Sequence, residues 1–235
     1  MGNSWFSFKQ FTIAQDKAAF KVGTDGVLLG AAADTAKADH ILDIGTGTGL
    51  VAIMLAQRSN AKIHAIEPDP DSFQQCIENI NACPWKERIE AEMVSLRDFR
   101  PSARFDLIVS NPPYFTDSLK NPDPRKSAAR HNDTLGNDEL LEGVSSLISE
   151  KGKFQVILPW AEGNVLIATA AIYGLYCNEI LKIRPTSSAE IRRMLITFSR
   201  EKIKVSERFL TIEQGARHEF TQQYIDLTRD FYIRF

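Results

Sequence analysis

Short apolar runs alternate with longer stretches whose apolar residues recur at helical spacing through the middle of the chain. His40–Ile44 (HILDI) reads as a buried strand, and Leu50–Gln57 (LVAIMLAQ) reads as the helix that follows it. Lys62–Ile66 (KIHAI) predicts a second strand. Asp71–Ala82 places Phe73, Ile77 and Ile80 on one helical face. Ile89–Val94 is a further strand candidate, and Phe105–Ser110 (FDLIVS) is nearly continuous in apolar content. Leu140–Ser149 has a helical pattern, and Lys153–Leu158 (KFQVIL) returns to a strand. Strands separated by helices imply a parallel sheet covered on both faces, an α/β fold.

Two regions break this rhythm. Thr116–Thr134 carries Pro122 and Pro124, several charges and little periodicity. Such a long loop inside a domain is usually functional or disordered. Beyond Gly174 three strand candidates follow closely: Leu175–Ile183, Met194–Ser199 and Ile203–Leu210. Thr221–Tyr232 reads as a closing helix that packs Tyr224, Leu227 and Phe231. No linker divides the chain, so a single domain is expected.

Composition narrows the class. Of 235 residues 43% are hydrophobic and 25% charged, which excludes a disordered chain, a collagen and a membrane bundle. The formal net charge is -2, so any nucleic-acid site must be a local patch. Cys76, Cys83 and Cys177 are odd in number and form no C-x-x-C, which argues for reduced thiols. The histidines and cysteines lack metal-ligand spacing, so no metal is expected. The opening MGNSWFSFKQ carries no apolar leader, and no apolar run approaches the ~20 residues of a membrane span. A cytoplasmic protein without membrane association is expected.

Asp43-Ile44-Gly45-Thr46-Gly47-Thr48-Gly49 closes a strand and opens a helix. Glycines there let the backbone turn sharply and approach a ligand. A dinucleotide turn would read G-x-G-x-x-G, but here the third glycine falls one residue early. The lysine of a phosphate-binding Walker turn is also absent. The D-x-G-x-G-x-G pattern resembles the first signature of class I S-adenosylmethionine (SAM)-dependent methyltransferases. That likeness implies a Rossmann-like, seven-stranded, mostly parallel sheet with an antiparallel last strand and helices on both faces. It also implies that Asp43 helps hold the amino end of SAM, with Gly45, Gly47 and Gly49 making room for it. Glu67, in Glu67-Pro68, follows Asp43 by 24 residues and Gly49 by 18, within reach of ribose hydroxyls. Val94–Phe99 resembles the segment that lines the cofactor's adenine, through Ser95 and Leu96. Many relatives have Asp where Ser95 stands, and Asp98 is the nearby alternative.

Ser110-Asn111-Pro112-Pro113-Tyr114-Phe115 follows the most apolar strand. Two consecutive prolines fix φ and remove two backbone donors, leaving carbonyls without local partners. An exocyclic NH₂ supplies two donors. The Asn111 side-chain oxygen and the Pro112 carbonyl could accept them, while Tyr114 stacks on the ring. The N-P-P-Y motif resembles that of amino-methyltransferases acting on adenine N6, guanine N2 or glutamine N5.

The N-terminal string Lys21-Val22-Gly23-Thr24-Asp25-Gly26-Val27-Leu28-Leu29-Gly30 discriminates among these. It resembles bacterial tRNA(Val) adenine-N6 methyltransferases, and the likeness continues through Ala129-Arg130-His131 and Leu227–Tyr232. The resemblance implies methylation of the adenine 3′ of the anticodon, position 37, with Lys21, Gly23, Thr24 and Asp25 over the cofactor's carboxylate end. It divides the chain into a cofactor-covering segment (1–38), an α/β core (39–210) and a closing segment (211–235). Glutamine-N5 enzymes normally carry an extra N-terminal helical domain, for which the stretch before the first strand leaves no room. The rivals are an adenine-N6 or guanine-N2 enzyme acting on rRNA or another nucleic acid such as DNA, a protein glutamine-N5 enzyme and an idle SAM- or RNA-binding domain.

A tRNA surface must come from patches. Lys182–Arg208 carries eight basic against three acidic residues, Arg192 and Arg193 among them. The long loop adds Lys120, Arg125, Lys126 and Arg130, with His131 beside them. Either patch could meet phosphates of an anticodon stem-loop; a solvated charged face is the alternative. A monomer is expected.

Overall fold

The computed structural model describes residues 3–113 and 136–234. The chain opens with a hairpin, β1 (Trp5–Ser7) and β2 (Thr12–Ala14), followed by helix α1 (Thr24–Ala32). The core alternates β3 (His40–Ile44), α2 (Leu50–Arg58), β4 (Lys62–Ile66), α3 (Pro70–Ala82), β5 (Ile89–Glu92) and β6 (Phe105–Ser110). After the undescribed segment come α4 (Asn137–Leu147), β7 (Ile148–Pro159), α5 (Trp160–Ala170), β8 (Tyr176–Arg184), β9 (Arg193–Ser199), β10 (Ser206–Thr211) and α6 (Gln222–Thr228).

Among the described residues the main sheet has eight strands in the order β10-β8-β9-β7-β6-β3-β4-β5. Only β9 runs against its neighbours, pairing antiparallel with both β7 and β8. The Rossmann-like expectation is met, with one correction to the strand count. β10 pairs parallel with β8 at the edge, so the antiparallel strand is the penultimate one rather than the last. The added strand is exposed from Ser206 to Phe209 and buries only Leu210, as an edge strand can.

Alternation along each strand feeds two core layers. Ile41 faces the cluster built by α1, α2, α3 and α6, while Leu42 and Ile44 face the cluster under α4 and α5. The helix expected over Leu140–Ser149 starts earlier and gives way to β7 at Ile148, because Ile148 and Phe154 are both drawn into the sheet's core. α3 starts where Asp69 accepts from the Ser72 amide at 2.8 Å, with Pro70 at its first position.

The hairpin, α1 and α5 carry no clear period in the sequence. α1 and α5 are apolar enough all round to obscure a face. The predicted closing helix is shorter, Gln222–Thr228, but it buries Tyr224, and Phe231 just beyond it is buried as well. No helix among the described residues is long and apolar enough to cross a membrane.

Candidate active site

Parallel strands β3, β4, β5 and β6 deliver their carboxyl ends to one rim, where open α/β sheets bind ligands. The glycine loop lies on that rim. Gly45, Gly47 and Gly49 have φ of 67°, 57° and 81°, a region that side chains other than glycine's enter at a cost. The amides of Gly45 and Thr46 donate to the Ile66 carbonyl at 2.9 and 3.1 Å, fastening the loop to β4. A Cβ built on Gly45 or Gly47 meets nothing within 4 Å, so the loop's backbone borders open space. Gly49 differs, since a Cβ there would come within 3.1 Å of the Cys76 sulfur on α3.

Two carboxylates hold this loop from below. Asp43 is buried, and its Oδ2 accepts from Thr46 Oγ1 at 2.6 Å and from the Ala52 amide at 3.1 Å. Burial pushes its pKa up to about 7, against the pull of those two bonds. Glu67 is 8% exposed; Oε2 accepts from the Gly47 amide at 2.8 Å and Oε1 from the Asp69 amide at 3.0 Å. Burial also raises its pKa above the ordinary carboxylate value. A carboxylate offers about four lone-pair positions, and two here are taken. The remaining two suit a vicinal diol. The glycine loop, the open space beside it and Glu67 therefore fit the methionine and ribose parts of SAM.

Asn111 and Pro112 sit where β6 ends, next to β3 on the same rim. The Ser110 hydroxyl donates to the Ile44 carbonyl at 3.0 Å and fixes the two strand ends together. Asn111 is half-buried and Pro112 buried. Helix α1 crosses close by: a Cβ on Gly26 would lie 3.6 Å from Asn111 Nδ2 and 3.1 Å from Leu50 Cδ2. Gly26 is thus a site residue that the glycine turn does not signal, although it stands in the K-V-G-T-D-G string.

The N-terminal segment reaches the rim along α3. Asn79 Oδ1 accepts from the Ala14 amide, and its Nδ2 donates to the carbonyls of Ala14 and Thr48. Gln75 Oε1 accepts from the Lys17 amide at 3.0 Å, and Gln15 Oε1 from the Val22 amide at 2.8 Å. These buried amides are invisible as site residues in the sequence, where they read as polar positions of an amphipathic helix. Lys21 Nζ donates to the Asn3 carbonyl, and Gly23 and Thr24 are exposed at the start of α1.

Other expected residues take different places. Asp25 Oδ2 accepts from Arg193 Nε at 2.8 Å, so a residue expected at the cofactor holds one expected at RNA. Arg192 stays exposed. Pro68 is exposed beside Glu67. Ser95 Oγ donates to Asp98 Oδ2 at 2.7 Å and accepts from the Asp98 amide at 3.2 Å, which joins the two alternatives for the adenine contact. Leu96 turns its side chain into the core against Gly143, so only its backbone faces the segment's surface role. Tyr114, Lys120, Arg125, Lys126, Arg130 and His131 lie outside the described residues, and Pro113 is half-buried at their edge. Among the described residues no group of three His, Cys, Asp or Glu could hold a metal ion. The three cysteines are free thiols.

The strand order, the inverted β9, the glycine loop and the acid ending β4 define a class I SAM-dependent methyltransferase. A predicted O-methyltransferase of Agrobacterium tumefaciens shares the fold, with a TM-score of 0.68 at 21% identity over 88% of this chain and 96% of that one. So does a glycopeptide N-methyltransferase in complex with SAM, with a TM-score of 0.58 at 10% identity over 77% and 96%. Residues 15–127 match the Methyltransferase small domain family. Proteins named tRNA1(Val) (adenine(37)-N6)-methyltransferase are 48% identical in Bacteroides fragilis, over the full length of both chains. In Phocaeicola vulgatus the identity is 46% over 99% of both chains, and in Trichodesmium erythraeum 41% over both full lengths. The chain belongs to the tRNA1(Val) (adenine(37)-N6)-methyltransferase family.

Proposed function

We propose that the protein methylates N6 of adenine 37, immediately 3′ of the anticodon, in tRNA1(Val), and that it works in the cytoplasm where that tRNA is found. The observation that carries the reading is the placement of Asn111-Pro112 at the end of β6, on the same rim as the glycine loop and Glu67. The full-length relatives bearing that name support the choice of substrate.

When bound, SAM supplies an electrophilic methyl group on a sulfonium. Everything else is the work of this chain. Gly45 and Gly47 let the backbone approach the cofactor, and Glu67 accepts from its ribose hydroxyls. The nitrogen lone pair of an adenine amino group is delocalised into the ring and attacks poorly. The Asn111 side-chain oxygen and the Pro112 carbonyl accept from the two amino hydrogens, which favours a tetrahedral nitrogen. The lone pair then points along the line of transfer. Positioning and fixed dipoles carry the rate. No strong base is required, since the methylated nitrogen is acidic once formed. Tyr114 stacks on the adenine ring, and Lys120, Arg125, Lys126, Arg130 and His131 meet the anticodon stem-loop as the base is flipped out.

Transfer of labelled methyl from SAM to unmodified tRNA1(Val), with bulk tRNA, rRNA and DNA alongside, tests this. Digestion should return N6-methyladenosine from position 37. Label in guanine, rRNA or protein would overturn the substrate, and no label with SAM bound would overturn the activity.

A further inference from the structure

Away from Asn111, the rim carries two large aromatic rings that the chemistry above does not use. Trp160 directly follows β7 and is 38% exposed; Phe209 lies on β10 and is 49% exposed. Lys182 of β8 stands between them, its Nζ 5.6 Å from the Trp160 ring centroid and 5.5 Å from that of Phe209. The lysine is also ion-paired with Glu207 at 2.6 Å and is itself only 15% exposed. It acts as a post that keeps the rings from collapsing onto one another.

Register places this group on the catalytic rim. Ser110 is paired with Val156, Pro159 with Arg193, Met194 with Lys182, and Lys182 with Phe209. The sequence of strands from the active site outward is therefore β6, β7, β9, β8, β10. β10 lies four strand spacings from β6, about 19 Å at the usual spacing of ~4.8 Å. The Trp160 amide donates to the Arg192 carbonyl at 3.3 Å, so the backbone that carries the ring is held beside an exposed arginine.

With Lys182 neutralised by Glu207, the group offers π-faces more than charge. That suits the flat faces of unpaired bases, while Arg192 suits the phosphates between them. We propose that Trp160 and Phe209, spaced by Lys182, form a ledge on which unpaired nucleobases of the RNA substrate stack beside the target adenine. This rests on the reading of the substrate as tRNA. The target base sits in an unpaired loop whose other bases also expose π-faces, and a loop with one base flipped into the site must lay its neighbours along the rim. The reading gives the two exposed rings on this side of the rim a partner.

The test uses the full-length protein with SAM and an anticodon stem-loop RNA. Trp160→Ala and Phe209→Ala should each raise the KM for RNA on the order of 5- to 100-fold, the range seen when base–aromatic stacking is removed. The affinity for SAM should not move. Trp160→Phe and Phe209→Tyr keep a ring and should retain most of the RNA affinity, which separates stacking from damaged folding. Loop nucleotides are then replaced one at a time by abasic sites. The abasic penalty at the stacked nucleotide should vanish in the alanine variants. Wild-type KM in both alanine variants overturns the ledge, as does an abasic penalty that simply adds to theirs. A ring-independent KM change, equal in the Phe, Tyr and Ala variants, does the same. If the wild-type chain methylates no RNA at all, the tRNA reading itself fails, a result distinguishable from either of these.

Discussion

Asp43 is a carboxyl group placed where charge is expensive. It lies under the glycine loop, 1% exposed, with a hydroxyl and a backbone amide as its donors. Burial outweighs those bonds and holds its pKa near 7, above the unfolded value near 3.8. The folded state thus binds the proton more tightly than the unfolded one. The resulting stability is fully present below the unfolded pKa and is lost as pH rises to about 7. Asp43→Asn keeps an acceptor and removes the titration. Its Tm should vary less between pH 4 and 7 than that of the wild type without cofactor, as read by calorimetry; parallel curves would contradict the assignment. Asn111 differs in being half-buried, at the end of β6, where the proposed mechanism uses its side-chain oxygen. Asn111→Ala should cut kcat by on the order of 100-fold or more, the usual loss of a preorganised polar contact, with a much smaller change in SAM affinity by titration calorimetry. Unchanged turnover would remove the acceptor mechanism.

Helix α1 shows how an element can matter more than its own sequence suggests. Asp25 at its start is tied to Arg193 on β9. At its end, the Asp34 amide donates to Gln155 Oε1 on β7, and Gln155 Nε2 donates on to Thr197 of β9 at 2.9 Å. Arg58 donates to the carbonyls of Gly30 and Ala33. The helix is therefore clamped at both ends, with Gly26 where a Cβ would lie 3.6 Å from Asn111 Nδ2. Arg193→Ala and Asp25→Asn should each weaken SAM binding by about tenfold, and the double variant should be no worse than either single one. The salt dependence of RNA binding should stay unchanged in Arg193→Ala, whereas losing a phosphate contact would reduce its slope by about 0.9. An additive double variant with a reduced slope would return Arg193 to the phosphates.

The strands and helices of the alternating core are readable because each buries one face, and burial writes a period into the sequence. The glycine turn, Glu67 and Asn111-Pro112 are readable because their chemistry restricts residue type. α1 escapes because it is apolar all round, and the Asp25–Arg193 pair because a contact spanning 168 positions leaves no local trace. Asn79 and Gln75 escape because a buried amide looks like an exposed one until its backbone partners are known. β10 reads as a strand in the sequence, but its place outside β8 depends on pairing that a single sequence does not record.

At the scale of the whole molecule, the two termini close on each other around the back of α2. The Lys9 amide donates to the Phe231 carbonyl at 2.8 Å, and Gln57 Nε2 donates to the Asp230 carbonyl at 3.0 Å. Phe6, Phe8 and Tyr232 pack their rings together, and Phe8 stacks on Phe11 at 4.7 Å between centroids. Phe231 is 1% exposed at the centre of this seam. Phe231→Ala should cost about 3–5 kcal/mol in urea unfolding, the range for emptying a phenylalanine site. A loss below 1 kcal/mol, within the scatter of ordinary surface substitutions, would mean that the tail closes nothing.

The reversal of β9 has an evolutionary corollary. Because that strand runs downward, the connection from β8, residues 185–192, stays on the catalytic rim as a short turn rather than crossing back to the opposite one. A turn tolerates insertion far more readily than the strands it joins. Residues added there would reshape the outer substrate footprint while leaving the glycine loop and Asn111 untouched. Under the proposed function, recognition and chemistry are thereby separately editable by natural selection, one through the length of a single hairpin and the other through a handful of fixed side chains.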